Sequence, residues 1–388
     1  MIPLDTAQAR LLALVPNAMT RCEIVSLAKA SGRYCLETIR ALRSQPAADM
    51  SAMDGYAMGS PGPWRVIGES AAGLAFDRSC APGEAVRIFT GAILPPGCNR
   101  VVMQEDVTRE GAMVSVTYET EPGRHVRSKG GDFSTGALLA DIGDLLTPAR
   151  LALIAAGGHG AVKVARPIQI ALISTGSELM PPGQPTRDDQ IPASNDLMLA
   201  ALLERPGASI ENVGAVPDDP AALDAALASV RGVDLIITIG GASVGDHDLV
   251  RPALLAAGAE MDFWKVAIKP GKPLMAGRLG EALIIGLPGN PVSAFVTALL
   301  FARPAIAALL GAANPLPPVR TARLATPLPA NGNRTDHIRA VSSIDGVTPV
   351  GVNDSAALSA LAIADVVIVR PPNTPALDVG ALVPIIAL

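Results

Sequence analysis

Apolar residues recur at helical spacing in the first forty positions of the chain. They do so over residues 4–15 and again from about 23 to 42, and Pro46 then prevents a helix from continuing. The pattern therefore predicts two helices at the start of the chain.

Between Trp64 and Tyr118 the hydrophobic pattern changes to short runs in which apolar and polar residues alternate. Pro-Gly and Glu-Gly turns separate these runs. The strands predicted here are residues 65–67, 85–89, 100–107 and 113–118. Helical spacing returns over Pro148–Ala156 and stops at Gly157 and Gly158, which suit a helix C-cap. An all-β segment is therefore expected between helical segments.

The middle of the chain alternates unbroken apolar runs with segments that begin like helices. The clearest runs, at 168–174, 234–239 and 282–286, are typical of a parallel sheet covered on both faces. Helices are predicted after the N-cap residues Asn195, Asp219 and Asn290, and a proline suited to the first helical position follows the last two. Residues from about 165 to 312 therefore predict a doubly wound α/β domain.

A second β-rich region follows the Pro-rich segment 314–318. Asp345-Gly346 is typical of a hairpin turn, and residues 365–370 predict a last strand. A small β domain is therefore expected at the end of the chain.

Composition limits the classes of protein and partner. The 388 residues suggest two to four domains, and with 3% aromatic residues the cores must rely on Ala, Leu, Val and Ile. The net charge of -5 argues against a nucleic-acid partner, because phosphate binding draws on surplus Lys and Arg.

The cysteines and the N-terminus indicate the cellular setting. The four cysteines are widely separated, without the two-residue spacing of zinc or redox motifs, so free thiols are expected. Asp5 precedes the first apolar stretch and no basic segment is present, which argues against a secretory signal. Apolar runs such as the one after Arg150 are interrupted before the ~18 residues that a membrane span needs. We therefore expect a reducing, cytoplasmic setting and no membrane partner.

Three predicted strand ends carry glycine beside polar side chains. They are Gly240 to Gly245, followed by Asp-His-Asp, then residues 175–178 and residues 286–293. Neither a dinucleotide-binding glycine motif after a strand nor a P-loop is present. A tight turn capped by Asp246 explains the first segment equally well. Ligands of open parallel sheets bind beyond the carboxyl ends of strands, however, so one shared pocket with a phosphate cradle explains all three.

Three lysines, Lys265, Lys269 and Lys272, stand close together in a chain where lysine is otherwise sparse. Solvated side chains are the ordinary interpretation of such a run. The interleaved prolines stiffen the segment, which favours fixed ammonium groups that bind a compact oxyanion. Pro291 also begins a helix near Ser293, whose free amides and dipole favour an anion.

Two further segments, SAMDGYA from Ser51 and TGA from Thr90, are each explained by a local turn when taken alone. Together with the other motifs they resemble the molybdopterin molybdenumtransferase family, the bacterial MoeA proteins and the E domain of gephyrin. The match covers nearly the whole chain. The remaining motifs, in the family's order, are VVMQED from Val101, STGSEL from Ser174, GGASVGDHD from Gly240, KPGKP from Lys269 and GLPGNPVS from Gly286.

The resemblance implies an α/β multidomain protein with four parts. These are a helical linker domain (1–42, completed by 133–164), an inserted β-rich domain (43–132), a doubly wound parallel α/β domain that binds molybdopterin (165–315) and a small C-terminal β barrel (316–388). It also implies a homodimer in which the N-terminal domain of one chain faces the α/β domain of the other.

The implied reaction inserts molybdate into adenylated molybdopterin, releases AMP and uses Mg²⁺ as the assisting ion. Other proteins of molybdenum cofactor biosynthesis, or acceptor enzymes, would be its partners. One alternative is adenylyl transfer to molybdopterin, but the family that performs it consists of the α/β domain alone. Another is a scaffold like gephyrin, for which we expect an appended domain or long disordered linker that this sequence does not show. A paralogue with a shifted metal or substrate stays open.

The family's functional positions fall on matching residues of this sequence. They are Asp54, Thr90, Glu178, Asp218, Asp248, Lys265, Lys269, Pro288 and Pro291. Further substrate-binding candidates are Gly240, Gly241, Ser243, Gly245, Lys272, Ser293 and Arg339, with Ser355 or Ser359. Asp219 directly precedes Pro220 and is the better N-cap, which leaves Asp218 for a ligand.

The resemblance also implies a magnesium site and shows two departures. Mg²⁺ prefers oxygen ligands and is usually held by one or two carboxylates. The candidates are Asp54, Glu178 and Asp248, with Asp218 as a further carboxylate. Cys98-Asn99 stands where the family usually has Ala-Asp. His337 stands where an aromatic residue is common, and it could alter how the C-terminal domain closes the pocket.

Overall fold

The computed structural model describes residues 1–241, 249–351 and 354–388. The chain opens with helix α1 (Leu4–Leu14), followed by strands β1 (Cys22–Ser26) and β2 (Ile39–Arg40). The first predicted helix is confirmed, whereas the helix predicted over 23–42 is wrong. Ile24 and Val25 are β-branched and favour a strand, and Gly32 adopts a φ of +74°, which an α-helix does not accommodate.

The next segment forms a six-stranded sheet. The run predicted at 100–107 ends as a strand at Met103, where a 3₁₀ turn begins. The strands of this segment are β3 (Met50–Ser51), β4 (Gly55–Met58), β5 (Trp64–Ser70), β6 (Glu84–Ile88), β7 (Arg100–Met103), β8 (Thr108–Glu110), β9 (Met113–Ser115) and β10 (Val126–Arg127). The order in the six-stranded sheet is β7-β4-β6-β5-β9-β8, and β3 pairs with β10. The predicted β segment is therefore confirmed, although the runs predicted at 100–107 and 113–118 form shorter strands and the run predicted at 65–67 forms a longer one.

The chain then returns to its first strands. Strands β11 (Leu138–Ala140) and β12 (Ala161–Ala165) flank helix α2 (Pro148–Ala156), and they pair antiparallel with β2 and β1, respectively. The Thr147 side chain caps α2 by accepting the Arg150 amide, and Gly158 follows its end with a φ of +99°. The predicted α2 is therefore confirmed at both ends.

The α/β domain is built on a six-stranded sheet. Its elements are β13 (Ile168–Thr175), β14 (Leu179–Met180), β15 (Ile191–Pro192), α3 (Ser194–Leu203), β16 (Ala208–Val216), α4 (Pro220–Ser229), β17 (Leu235–Ile239), α5 (Val250–Ala256), β18 (Glu260–Trp264), β19 (Ile268–Lys269), β20 (Met275–Leu279), β21 (Ala282–Leu287), α6 (Pro291–Thr297) and α7 (Arg303–Leu309). The strand order is β16-β13-β17-β21-β20-β18. The first four strands are parallel to one another, β20 runs antiparallel to β21, and β18 runs antiparallel to β20.

Both faces of this sheet are covered, as the unbroken apolar strands predict. Ile170 and Leu172 of β13 face the core that includes α3, α6 and α7, while Ala171 and Ile173 face the core that includes α4 and α5. The doubly wound α/β fold is confirmed, with an antiparallel edge that the sequence did not indicate.

The helix starts agree with the predicted caps in part. Asp219 accepts the Ala222 amide at 2.9 Å and caps α4 as predicted. Helix α3 begins at Ser194, so Asn195 lies inside the helix and is not its cap. Asn290 is the N-cap of α6, but its side chain makes no capping hydrogen bond with the helix. Its side-chain amide donates to the Ser355 hydroxyl instead.

Helix α6, a π-helical segment at Ala298–Ala302 and α7 form one continuous helical run. The run Pro291–Leu309 is long and apolar enough to cross a membrane, but 83% of its apolar window is buried inside the protein. It is therefore the core helix of the α/β domain, and the hydropathy pattern did not indicate its length.

The C-terminal region forms a small closed sheet. Its elements are β22 (Arg320–Arg323), β23 (Thr335–Ser343), β24 (Gly346–Pro349), α8 (Leu358–Ala362), β25 (Val366–Arg370) and β26 (Leu382–Ala387). The strand order is β19-β23-β25-β26-β22, β24 pairs with β23, and a bridge between Leu324 and Val347 connects the two ends. The hairpin turn is Ile344-Asp345, one residue earlier than predicted, and β25 is followed by β26, so it is not the last strand.

Strand β19 joins the lysine segment to this C-terminal sheet. It pairs parallel with β23, so that Lys269 lies beside Asp336. The lysine segment is therefore held between the α/β domain and the C-terminal barrel.

Candidate functional site

A cleft of about 850 Å³ lies beyond the carboxyl ends of β13, β17 and β21; we call it the sheet-end cleft. The three strand ends expected to share a pocket all line it. The predicted site residues found here are Glu178, Asp218, Gly240, Gly241, Pro288 and Pro291. Ser243, Gly245 and Asp248 lie outside the described residues.

Two carboxylates stand together on one side of the sheet-end cleft. The Ser177 amide donates to Asp218 Oδ2 at 3.2 Å, and the Asp218 amide donates to Ser177 Oγ at 3.1 Å. These reciprocal bonds hold Asp218, which follows β16, against the loop between β13 and β14 that carries Glu178. A Cβ at Gly176 would lie 2.6 Å from Glu178 Oε2, so the absence of a side chain there lets the carboxylate take this position.

The glycines that begin the predicted phosphate cradle have little space around them. Gly240 and Gly241 adopt φ values of +89° and +58°. A Cβ at Gly240 would lie 2.7 Å from the Thr175 carbonyl oxygen, and one at Gly241 would clash with Val250. Only glycine therefore fits this close turn between two strand ends.

Two further residues that line the sheet-end cleft, Asn195 and Asp196, carry hydrogen-bond acceptors that sequence reasoning missed. Asn195 donates from Nδ2 to the Gly289 carbonyl at 2.7 Å, which leaves its Oδ1 buried without a partner in the described structure. The buried Asp196 carboxylate accepts bonds from Ser174 and Asn212. The three consecutive polar residues at 194–196 are the sequence signal for these acceptors, but the capping pattern explains them as a helix start.

A second cleft, of about 740 Å³, lies between the lysine segment, the start of α6 and the C-terminal barrel; we call it the barrel cleft. Lys269, Lys272, Ser293, Arg339 and Ser355 line it. The charged residues that border it in the described part of the chain are Lys269, Lys272, Arg334, Arg339, Arg370, Asp336 and Asp354. Five cations against two carboxylates favour an anionic ligand.

The buried Arg339 holds the loop that carries Ser355. Its Nη1 donates to the Ala357 carbonyl at 2.9 Å and its Nη2 to the Asp354 carbonyl at 3.1 Å. Burial lowers the pKa of Arg339, and the nearby Asp354 opposes that effect. Of the two serines considered for this position, Ser355 lines the barrel cleft, whereas Ser359 lines neither cleft.

Ser355 also docks on the first turn of α6. Its carbonyl accepts the Val292 amide at 3.0 Å, and its hydroxyl accepts a bond from Asn290 at 3.1 Å. The Val292 amide is therefore not free for an anion, which corrects the expectation that the first amides of this helix are available.

The two clefts adjoin at the start of α6. Pro273 lines both, while Pro291 lines the sheet-end cleft and the next residue, Val292, lines the barrel cleft. Ligands in the two clefts would therefore be neighbours.

Lys265 is separated from the other two lysines. Its backbone has a φ of +75°, and its ammonium lies 4.3 Å from the centroid of the Trp264 ring, a cation–π contact. It lines neither cleft.

Asp54 and Thr90 come together in the β-rich segment although 36 residues separate them. The backbone amide and the hydroxyl of Thr90 both donate to Asp54 Oδ1, at 2.7 and 2.8 Å. The amide bond first, and then the hydroxyl bond, lower the pKa of Asp54. Both side chains are exposed, and neither lines the sheet-end cleft or the barrel cleft of its own chain.

The donor set suits a magnesium ion that shares its coordination with a substrate. Within the described residues no group of three or more His, Cys, Asp or Glu side chains is placed to hold a metal. Glu178 and Asp218 supply two carboxylates in the sheet-end cleft. Because Mg²⁺ is usually bound by one or two carboxylates together with phosphate oxygens and water, this pair fits it.

Comparison with known proteins covers most of the chain. Residues 2–158 match the model of the MoeA N-terminal region (domains I and II), residues 171–308 that of a probable molybdopterin binding domain, and residues 321–388 that of the MoeA C-terminal region (domain IV). The chain is 38% identical over 318 residues to the molybdopterin molybdenumtransferase of Haemophilus influenzae, which covers 80% of this chain and 78% of that protein.

Two further comparisons span the whole chain. The molybdopterin molybdenumtransferase of Bacillus subtilis is 31% identical over 409 residues, covering 100% of this chain and 94% of the relative. The crystal structure of the molybdopterin biosynthesis MoeA protein of Pyrococcus horikoshii superposes on all of this chain with a TM-score of 0.85 and 27% identity.

Proposed function

The chain belongs to the molybdopterin molybdenumtransferase family, and we propose that it inserts molybdenum from molybdate into adenylated molybdopterin with Mg²⁺-dependent release of AMP. The observation that carries this proposal is the adjacency of the two clefts. One is lined by carboxylates, glycines and acceptors, the other by cations, and Pro273 lines both. Two anionic substrates, one held through Mg²⁺ and the other by cationic side chains, would meet at that wall.

The sheet-end cleft suits the adenylated pterin. Its volume of about 850 Å³ lies in the range of ligand sites, ~300–1,000 Å³. Gly240 and Gly241 line this cleft beyond the carboxyl end of β17, the position at which open parallel sheets bind their ligands. Glu178 and Asp218 would hold Mg²⁺, which supplies polarisation of a phosphoryl oxygen and neutralises charge when bound.

The barrel cleft suits molybdate. Lys269 and Lys272 are exposed at its border, and Ser293 provides a hydroxyl on the first turn of α6. Charge-assisted hydrogen bonds from ammonium groups are the stronger class of hydrogen bond to an oxyanion. Arg339 holds the loop of Ser355, which in turn bonds to the first turn of α6, so this side of the cleft has a fixed position.

We also propose that Asp54 and Thr90 act on a neighbouring chain in a homodimer. They lie in the β-rich segment, line neither cleft of their own chain, and form an exposed carboxylate–hydroxyl pair. The two Thr90 bonds keep the Asp54 carboxylate ionised and oriented. It would thus present a fixed negative charge to the partner's sheet-end cleft. A cytoplasmic location, and other proteins of cofactor synthesis as partners, belong to the same proposal.

The experiment that tests the function compares two reaction mixtures. One contains the protein, adenylated molybdopterin, Mg²⁺ and molybdate; the other contains molybdopterin and Mg-ATP. We expect AMP and molybdenum-bound cofactor from the first mixture only. Pyrophosphate from the second would instead indicate adenylyl transfer, and two inert mixtures would be the result of a non-catalytic scaffold.

A further inference from the structure

A buried imidazole borders the barrel cleft. His337 lies on β23, is 4% exposed, and is part of the lining of the cleft. Neither its Nδ1 nor its Nε2 has a hydrogen-bond partner within the described structure, and both atoms are shielded from solvent. Buried side-chain nitrogens are nearly always paired, because an unpaired donor loses its hydration without compensation. This unpaired group therefore requires an explanation.

The position of His337 places it beside the predicted anion-binding arginine. His337 and Arg339 are two residues apart on β23, so they lie on the same face of the strand. Val369, which pairs with His337 across the sheet, packs against the core of the α/β domain. The imidazole therefore lies where the barrel meets the α/β domain, on the side of the strand that faces the cleft.

The ring is neutral near pH 7. Burial lowers the pKa of His337 to about 4, and a backbone contact with Thr335 opposes the shift without forming a well-aligned hydrogen bond. The charged groups that border the same cleft are Lys269, Lys272, Arg334, Arg339, Arg370, Asp336 and Asp354. Among these cations a neutral imidazole adds one N–H donor without adding another positive charge.

The N–H can reach the cleft through a small motion. A half-turn about the Cβ–Cγ bond exchanges nitrogen and carbon positions of an imidazole within nearly the same volume. His337 lines the cleft while both of its ring nitrogens are shielded, so such a turn is the motion that would present a nitrogen to a bound ligand.

We propose that His337 donates a hydrogen bond to the oxyanion held in the barrel cleft and is a specificity-determining residue for it. The ligand class is a tetrahedral dianion such as molybdate or tungstate. This inference rests on the proposed function, since it assumes that the barrel cleft is the oxyanion site. Binding of the adenylated pterin in the sheet-end cleft is expected to be independent of His337.

The test is a titration of the full-length protein with sodium molybdate in a calorimeter at pH 7.5. It compares the wild type with His337→Phe, which keeps an aromatic ring but has no N–H, and with His337→Gln, which keeps an N–H donor. We expect His337→Phe to bind molybdate about tenfold more weakly or worse, the loss of a hydrogen bond to a charged group. His337→Gln should stay within about threefold of the wild type.

The controls separate this inference from the proposed function. Thermal unfolding should show His337→Phe at least as stable as the wild type, because an apolar ring of similar shape removes the unpaired donor. Lys272→Ala is titrated in parallel. If Lys272→Ala weakens binding and His337→Phe does not, the role of His337 is refuted and the oxyanion cleft stands. If His337→Phe and His337→Gln weaken molybdate binding equally, His337 has a packing role, and its role as a hydrogen-bond donor is refuted. A wild type that binds no molybdate overturns the assignment of the cleft itself.

Discussion

The side chain of Gln8 donates from Nε2 to the carbonyl of Leu300 at 3.0 Å. Pro304, four residues further along the same helical run, has no N–H, so this carbonyl lacks its α-helical donor. The π-helical segment Ala298–Ala302 includes the same turn. Gln8 of helix α1 thus supplies a donor to the Leu300 carbonyl of the core helix. The first turn of that same helical run lies between the two clefts.

Replacing Gln8 by Ala should therefore destabilise the protein without changing the sites. Loss of this partly buried bond should lower the free energy of unfolding by about 0.5–1.5 kcal/mol. Urea denaturation of the wild type and the variant measures this change in the free energy of unfolding. The matched control is Gln184→Ala, since Gln184 is exposed on a loop and should change stability little. Equal midpoints for the two variants would show that α1 docks without the aid of Gln8.

Substitution of Lys272 by Ala should weaken the use of molybdate. Removing one charged hydrogen bond to the oxyanion should cost on the order of 1.5–3 kcal/mol, at least about tenfold in affinity. High molybdate should rescue the reaction, and the binding of adenylated pterin should change much less. Lys29→Ala, at an exposed position remote in sequence, is the control and should stay within about 0.5 kcal/mol. An unchanged molybdate dependence for Lys272→Ala would falsify its assignment.

Mixing two inactive variants tests the shared site of the proposed homodimer. Asp54→Ala and Glu178→Ala should each be inactive alone. A mixed dimer carries both changes in one site and leaves the other site intact. With random exchange about half of the dimers are mixed, so about a quarter of the wild-type activity should return. If exchange is verified by differently tagged chains and no activity returns, the two residues act in the same chain.

His337 should make stability depend on pH. The unfolded chain takes up a proton on this residue near pH 6.5, whereas the folded chain does so only near pH 4. Protonation therefore favours the unfolded state. As the pH falls from 7 to 4, protonation of His337 should lower the free energy of unfolding of the wild type by up to about 3 kcal/mol. His337→Phe should lack this component, which urea unfolding at pH 7 and pH 4.5 measures. Parallel losses in both proteins would mean that the imidazole is not buried in its neutral form.

Local signals account for the parts of the fold that the sequence predicted. Thr147, Pro148 and Gly158 mark both ends of α2 within a few residues of the helix itself. The segment after residue 22 has no such marks, and it becomes strand β1 because β12, near residue 165, pairs with it. A partner so distant in sequence leaves no trace in local periodicity.

The candidate site divides in the same way. Glycines at strand ends identify the sheet-end cleft, because parallel strands bring those ends to one edge. The barrel cleft depends on the pairing of β19 with β23, so the contributions of Arg334 and Arg370 could not be predicted. Lys265 is near Lys269 in sequence, but it packs on Trp264, and its role stays a prediction.

The most direct test of the account is the stoichiometry of a single turnover. Purified protein is loaded with adenylated molybdopterin and Mg²⁺, molybdate is added, and both the AMP released and the molybdenum retained in the cofactor are measured. Adjoining clefts that bring the two substrates together predict one AMP for each molybdenum incorporated, with no AMP before molybdate is present. AMP release that proceeds without molybdenum incorporation, or a loaded protein that stays inert after molybdate is added, would contradict the account.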